Sequence, residues 1–144
     1  MILLDTNVIS EPLCASGDLN VLAWIDAQII ETLFLSTISL AELRFGVASL
    51  PEGKRRDTLH ASLEQRVLPL SAGRILSFDA AASQAYATLR ARAHSRNASQ
   101  AIATADGCIA AIAVTHKLTV ATRDTSPFEA AGVAVINPWD LRKL

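Results

Sequence analysis

Four acids, Asp5, Glu42, Asp106 and Asp124, stand where a carboxylate is available for chemistry. Asp5 ends the apolar run Ile2 to Leu4, and Asp124 follows the run Leu118 to Ala121 within a few residues. Each has a hydroxyl close by in sequence, Thr6 and Thr122, able to orient a carboxylate or a bound water. Asp106 falls in the expected first turn of a helix continuing through Ile109 and Ile112, and Glu42 begins an expected helix from Leu40 to Ala48. Brought together, four such acids repel one another unless cations neutralise them, and hard oxygen ligands suit Mg2+ or Mn2+. Phosphodiester hydrolysis is the chemistry that a cation-loaded acidic cluster supports best.

Each acid also has a purely structural explanation. Ser39 and Glu42 have the spacing of a capping box, in which the glutamate reaches back to the backbone N–H of its cap residue. Asp106 is favoured near a helix N-terminus by the dipole alone. Asp5 fits an Asx turn and Asp124 an ordinary loop acid, although a strand-terminal acid flanked by hydroxyls favours function for Asp5. The joint pattern, rather than any one acid, carries the functional reading.

Other chemistries fit less well. A covalent aspartyl nucleophile of the haloacid-dehalogenase kind expects a second aspartate or a threonine two residues after Asp5, where this chain has Asn7. No serine lies in a nucleophile elbow, and His60, His94 and His116 lack metal-ligand spacing. Among the basic residues, Arg123 is the best placed for RNA or ligand contact, with pairing to a nearby acid as the alternative. Trp24, Phe34, Phe45, Phe78, Tyr86 and Trp139 read as core or dimer contacts rather than as a base-stacking platform.

The elements that must position these residues are legible as periodicity. Ile2 to Leu4, Leu33 to Leu35, Leu118 to Ala121 and Val133 to Ile136 read as short buried strands, with Arg74 to Phe78 as a weaker one. Helical spacing runs through Val21 to Ile29, Leu40 to Val47 and Leu59 to Val67. Asp79 is an expected N-cap for the alanine-rich stretch through Ala93, and Thr104 an expected start for the next helix. Strands alternating with helices predict a three-layer α/β/α domain with a largely parallel central sheet. If the strands before Asp5 and Asp124 are both central, the two acids converge beyond their carboxyl ends.

A chain of 144 residues, 51% apolar and 19% charged, suits one well-buried domain spanning 1–144. A net charge of −1 supplies no global attraction to nucleic acid, so RNA contact must be local or cation-mediated. Cys14 and Cys108 have no zinc or redox spacing and read as free thiols. The N-terminus has no basic leader and no stretch is long enough to span a bilayer, so a cytoplasmic protein without membrane contact is expected.

These segments resemble the PIN-domain ribonucleases, and within them the VapC-type toxins of bacterial toxin–antitoxin pairs. The resemblance rests on ILLDTNVIS at the start, AELRFG around Glu42, ADGCIAA around Asp106 and ATRD around Asp124, in that order. PEGKRR at 51–56 and VINPW at 135–139 are similar to the FitB-like branch. The resemblance implies a PIN-like parallel sheet, Mg2+ or Mn2+ held by Asp5, Glu42, Asp106 and Asp124, and endoribonuclease activity. It further implies homodimerisation and inhibition by a partner antitoxin. Thr6 matches the family's supporting hydroxyl and Asn7 its adjoining polar position. A non-catalytic PIN-fold module that binds an antitoxin or RNA is the alternative. Two departures are visible. Gly107 stands where the family usually has a better helix former, and the approach at 95–100 is unusually polar, which makes Asp106 the least constrained of the four acids.

Overall fold

The computed structural model describes residues 1–95 and 102–141, with the side chains of 93–95 excepted. Five strands, β1 (Ile2–Leu4), β2 (Leu33–Ser36), β3 (Ile75–Leu76), β4 (Thr119–Ala121) and β5 (Val135–Ile136), form one wholly parallel sheet in the order β3-β2-β1-β4-β5. The chain builds outward from β1 through β2 to β3, then crosses back to lay β4 against the other side of β1. That reversal makes the junction of β1 and β4 a topological switch point, where the loops beyond the strands part and leave a crevice.

Side chains on a strand alternate between faces, so neighbouring residues feed different layers. Leu3 and Val120 enter one core with Ala82, Leu89, Ile109, Ile112 and Phe128. Leu4 and Ala121 enter the other with Val8, Ile9, Val21, Leu35, Leu43 and Leu63. The first layer is built by α6 (Ala80–Ser95), α7 (Thr104–His116) and α8 (Ser126–Ala130). The second holds α1 (Thr6–Ser10), α2 (Leu19–Asp26), α3 (Thr37–Ala48) and α4 (Lys54–Ser62). From α4 the chain runs through a wide π turn at Leu63–Val67 into the short α5 (Leu68–Leu70). The expected three-layer α/β/α arrangement is therefore present.

Several boundaries differ from the expectation, each for a local reason. The segment after Asp5 is helix α1 and not a loop, because the Asp5 carboxylate accepts from the Thr6 N–H and caps it. Helix α3 begins at Thr37, three residues earlier than the apolar pattern suggested, because the Ser36 hydroxyl caps it by accepting from the Ser39 N–H at 3.0 Å. Ile29, expected to extend α2, lies beyond its end and is exposed. Val133 and Ala134 precede β5 rather than belonging to it. Asp79 caps α6 as expected, accepting from the Ala82 N–H at 2.9 Å. The polar stretch 96–100 lies outside the described residues.

Helix α7 is buried over most of its circumference, with Gly107 and Ile109 through Ala113 all enclosed. Its alanines leave backbone close to the neighbouring helix and strands, and Gly107 goes furthest. A Cβ there would stand 2.9 Å from Tyr86 Cε2 on α6. The departure at Gly107 is thus a packing requirement, with the absent methyl making room for an aromatic ring. Tyr86 is itself braced edge-on by Phe78 at 6.0 Å between ring centroids. No helix among the described residues is long and apolar enough to cross a membrane, and Cys14 and Cys108 are both free thiols.

Candidate active site

Asp5 directly follows β1, and its backbone N–H continues the ladder by donating to the carbonyl of Ala121 at 2.9 Å. The side chain is 5% exposed. Burying a carboxylate is costly unless its oxygens are hydrogen-bonded, and both are: Oδ1 accepts from the Thr6 N–H at 2.7 Å and Oδ2 from the Thr122 hydroxyl at 2.8 Å. Burial nevertheless raises its pKa, with the nearby charges of Glu42 and Asp124 adding to the rise and the two hydrogen bonds opposing it.

Glu42 does not cap its helix. It is the sixth residue of α3, and the Ser39 of the expected capping box lies inside the helix. The Glu42 carboxylate reaches across to α1, where Thr6 Oγ1 stands 2.8 Å from Oε1 and 3.0 Å from Ser39 Oγ. A carboxylate only accepts, so the Thr6 proton goes to Glu42 and the buried Ser39 hydroxyl is left to donate. Thr6 thereby joins the two acids, its backbone on Asp5 and its side chain on Glu42.

The β4 end is wired to the same centre. Besides donating to Asp5, Thr122 Oγ1 accepts from the Asp124 N–H at 3.2 Å and faces Asn7 Nδ2 at a long 3.5 Å. Asn7 Oδ1 accepts from the Arg123 N–H at 3.3 Å. The four supporting residues expected from sequence, Thr6, Asn7, Thr122 and Arg123, therefore all fall in one network with Asp5. The side chains of Asp124 and Arg123 are exposed.

Asp106 approaches from the other layer. It lies in the first turn of α7, and the residue before the helix, Ala103, supplies no side-chain cap. Its carboxyl is pushed up to about 6, first by burial and then by the charges of Asp5, Glu42 and Asp124. Asp106 thus feels the charge of the other three acids, and Asp5 that of Glu42 and Asp124. Among the described residues none of them forms an ion pair.

The donor set suits a hard divalent ion: four carboxylates, with no basic side chain neutralising them among the described residues. Among the described residues no three Asp, Glu, His or Cys side chains stand close enough to enclose an ion by themselves. That also suits the Mg2+ class, which keeps several waters and takes one or two carboxylates in place of an all-protein cage.

The Arg123 side chain does not pair with a neighbouring acid among the described residues. Its guanidinium lies over the Trp139 ring, 5.3 Å from the centroid. Trp139 packs on the core as expected, but its contact with Arg123, and that of Asn137, were not foreseen from sequence. The segment 135–139 stood out only as part of a resemblance, and no periodicity or spacing links it to residue 123.

The chain matches the PIN domain family over residues 2–133. It is 60% identical to VapC ribonuclease Y4jK of Sinorhizobium fredii over 97% of this chain and 99% of that one. It is 56% identical to toxin FitB of Neisseria gonorrhoeae over 96% of this chain and 99% of that one. Among solved structures, FitAcB from Neisseria gonorrhoeae superposes with a TM-score of 0.92 at 56% identity, covering 97% of this chain and 99% of that chain. With the acidic crevice at the switch point of a five-stranded parallel sheet, these likenesses show that the chain belongs to the PIN-domain family.

Proposed function

We propose that this protein is the toxin of a bacterial toxin–antitoxin pair, an endoribonuclease dependent on Mg2+ or Mn2+. The observation that carries this reading is the convergence of four carboxylates, none ion-paired among the described residues, at the β1–β4 switch point, where the charges of the other three all bear on Asp106. A high identity over nearly the whole chain to a protein named as a VapC ribonuclease and to one named as a toxin supports it.

In this reading one or two of Asp5, Glu42 and Asp106 hold the ion directly and the rest reach it through its waters, and Asp124 holds an ion or positions the attacking water. When bound, such an ion lowers the pKa of water and offsets charge on the scissile phosphate. Thr6 keeps Asp5 and Glu42 in fixed relation by donating to both, and Thr122 holds the far oxygen of Asp5. These outer contacts orient the carboxylates whose remaining lone pairs face the crevice. Asn7 and Thr122 together tie the backbone of Arg123 and Asp124 to the same centre. RNA is the substrate, the chain works as a homodimer in the cytoplasm, and an antitoxin protein restrains it. Structures similar to this chain are toxin–antitoxin complexes, some bound to DNA.

The decisive experiment incubates the full chain with a panel of single-stranded and structured RNAs in Mg2+, Mn2+ or EDTA, beside a folded Asp5→Asn variant. Cleavage by the wild type in either metal, absent in EDTA and absent in the variant, is the expected result. Equal cleavage by both proteins overturns the reading, and RNA bound but never cut leaves the non-catalytic module in its place.

A further inference from the structure

The acidic crevice raises an electrostatic question of its own. RNA is a polyanion, the chain has a net charge of −1, and the four acids add negative charge where the substrate must sit. Cations neutralise the centre, but phosphates flanking the scissile bond need a fixed positive group on the protein. Arg123 is next in the chain to Asp124, and its backbone N–H is held by Asn7, whose side chain faces the hydroxyl that donates to Asp5. Its position relative to the acids is therefore set by a continuous chain of hydrogen bonds.

Its side chain is organised too. The guanidinium lies over Trp139, 5.3 Å from the centroid of a half-buried ring packed into the core layer containing Leu4 and Ala121. Asn137 clips the two segments together: Nδ2 donates to the Arg123 carbonyl at 3.3 Å, and Oδ1 accepts from the Trp139 N–H at 3.0 Å. An exposed arginine that merely solubilised the surface would need neither a clip on its backbone nor a ring beneath its head. A guanidinium held over an aromatic face keeps its N–H donors available for a phosphate, and that contact restricts the rotamers that binding would otherwise have to freeze.

We infer that Arg123 is a phosphodiester-binding residue for RNA flanking the acidic centre, and that Trp139, held by Asn137, is its positioning residue. This rests on the ribonuclease reading. The side chain contacts a non-bridging phosphate oxygen on a nucleotide next to the cleaved one, adds one ionic contact to substrate binding, and leaves the chemical step to the acids.

The test is RNA affinity by fluorescence anisotropy, using a short labelled single-stranded RNA and the full chain carrying Asp5→Asn, so that binding is read without cleavage. On that background Arg123→Ala is expected to weaken binding about three- to tenfold. It should also reduce the magnitude of the slope of log affinity against log salt by about 0.7, the signature of one lost phosphate contact to a single strand. Arg123→Lys should keep the slope. Trp139→Leu, which retains apolar packing, should weaken binding about threefold, as expected for a lost cation–π contact. Its effect should vanish in the double variant with Arg123→Ala. In the cleaving wild-type background the same changes should raise KM and spare kcat. An unchanged salt slope in Arg123→Ala overturns the phosphate contact. A full Trp139→Leu effect in the absence of Arg123 overturns the positioning role and assigns the ring a direct contact with a base. Wild-type protein that cuts RNA while Arg123→Ala matches it in affinity and KM removes this inference alone, whereas wild-type protein that neither binds nor cuts RNA removes the ribonuclease reading beneath it.

Discussion

The two sides of the acidic crevice are held by different physics. On one side Asp5 and Glu42 are fixed by hydrogen bonds from Thr6 and Thr122, short hydroxyl-bearing residues one or two positions past a strand end. On the other, Asp106 has no such brace among the described residues and is placed by the packing of a helix whose central turns are buried, brought close by the absence of a methyl at Gly107. The first side is sensitive to polar chemistry and indifferent to small changes in volume. The second is the reverse. The difference also shows in their electrostatics: burial raises both acids, and at Asp5 the hydrogen bonds from Thr122 and Thr6 pull the pKa back down.

The largest effect that would test this contrast is Asp5→Asn, which should cost about a thousandfold in RNA cleavage, several kcal/mol of lost charge stabilisation. Initial rates at saturating Mn2+ read it directly, and a loss under tenfold would remove Asp5 from the centre. Next come the braces. Thr122→Val and Thr6→Val should each lower activity or metal affinity about 10- to 100-fold, the usual cost of losing an outer partner of a ligand. Metal titration of the cleavage rate separates the two parameters. Thr6→Val should do more damage if Glu42 is a ligand, because it releases Glu42 as well as loosening α1.

On the packing side, Gly107→Ala gains helix propensity but forces Tyr86 aside, and overpacking costs about 1–3 kcal/mol against roughly 1 kcal/mol of propensity. A net loss of about 1 kcal/mol in urea unfolding is expected, largely recovered by adding Tyr86→Leu. A Gly107→Ala variant more stable than wild type would show that the glycine is not a packing requirement.

The smallest effect concerns pH. The folded-state pKa of Asp106, about 6, lies above its ordinary value of 3.8, so folding favours the protonated acid. Its contribution to stability is fully present below about pH 4 and is lost as the pH rises through 6. In EDTA, Asp106→Asn should therefore match wild-type stability near pH 4 and exceed it by about 1 kcal/mol above pH 7, after allowing for solvent screening of a partly exposed group. The same variant should lose cleavage. If Asp106 served only the helix dipole, the substitution would lower stability at neutral pH, and paired melting curves at pH 4 and 7.5 distinguish the two.

Much of the scaffold was legible because apolar periodicity reports burial directly. The runs at Ile2, Leu33 and Leu118 each became strands, and Asp79 and Thr104 marked helix starts because caps and first turns have local chemistry. Boundaries set by a single hydroxyl or by pairing were not legible. Ser36 looks like the end of a strand and serves as a cap, and a capping box was read at Ser39 and Glu42 because the spacing is satisfied in sequence even where the helix has already begun. Gly107 read as a departure because propensity is local, whereas the Tyr86 ring that requires it comes from 21 residues earlier.

The sequence by itself determined that this chain carries acids at strand ends and helix turns, beside hydroxyls, within an alternating α/β pattern. Residue type, spacing and periodicity are enough for that. Only the tertiary structure decided that β4 returns to pair with β1, so that Asp5 and Thr122, 117 residues apart, share a hydrogen bond. It alone turned Glu42 from a helix cap into a partner of Thr6, and set Arg123 on Trp139 in place of a neighbouring acid. Strand order, the distance between side chains on different elements and the burial of a charge are properties of the packed chain, and no local stretch of sequence encodes them.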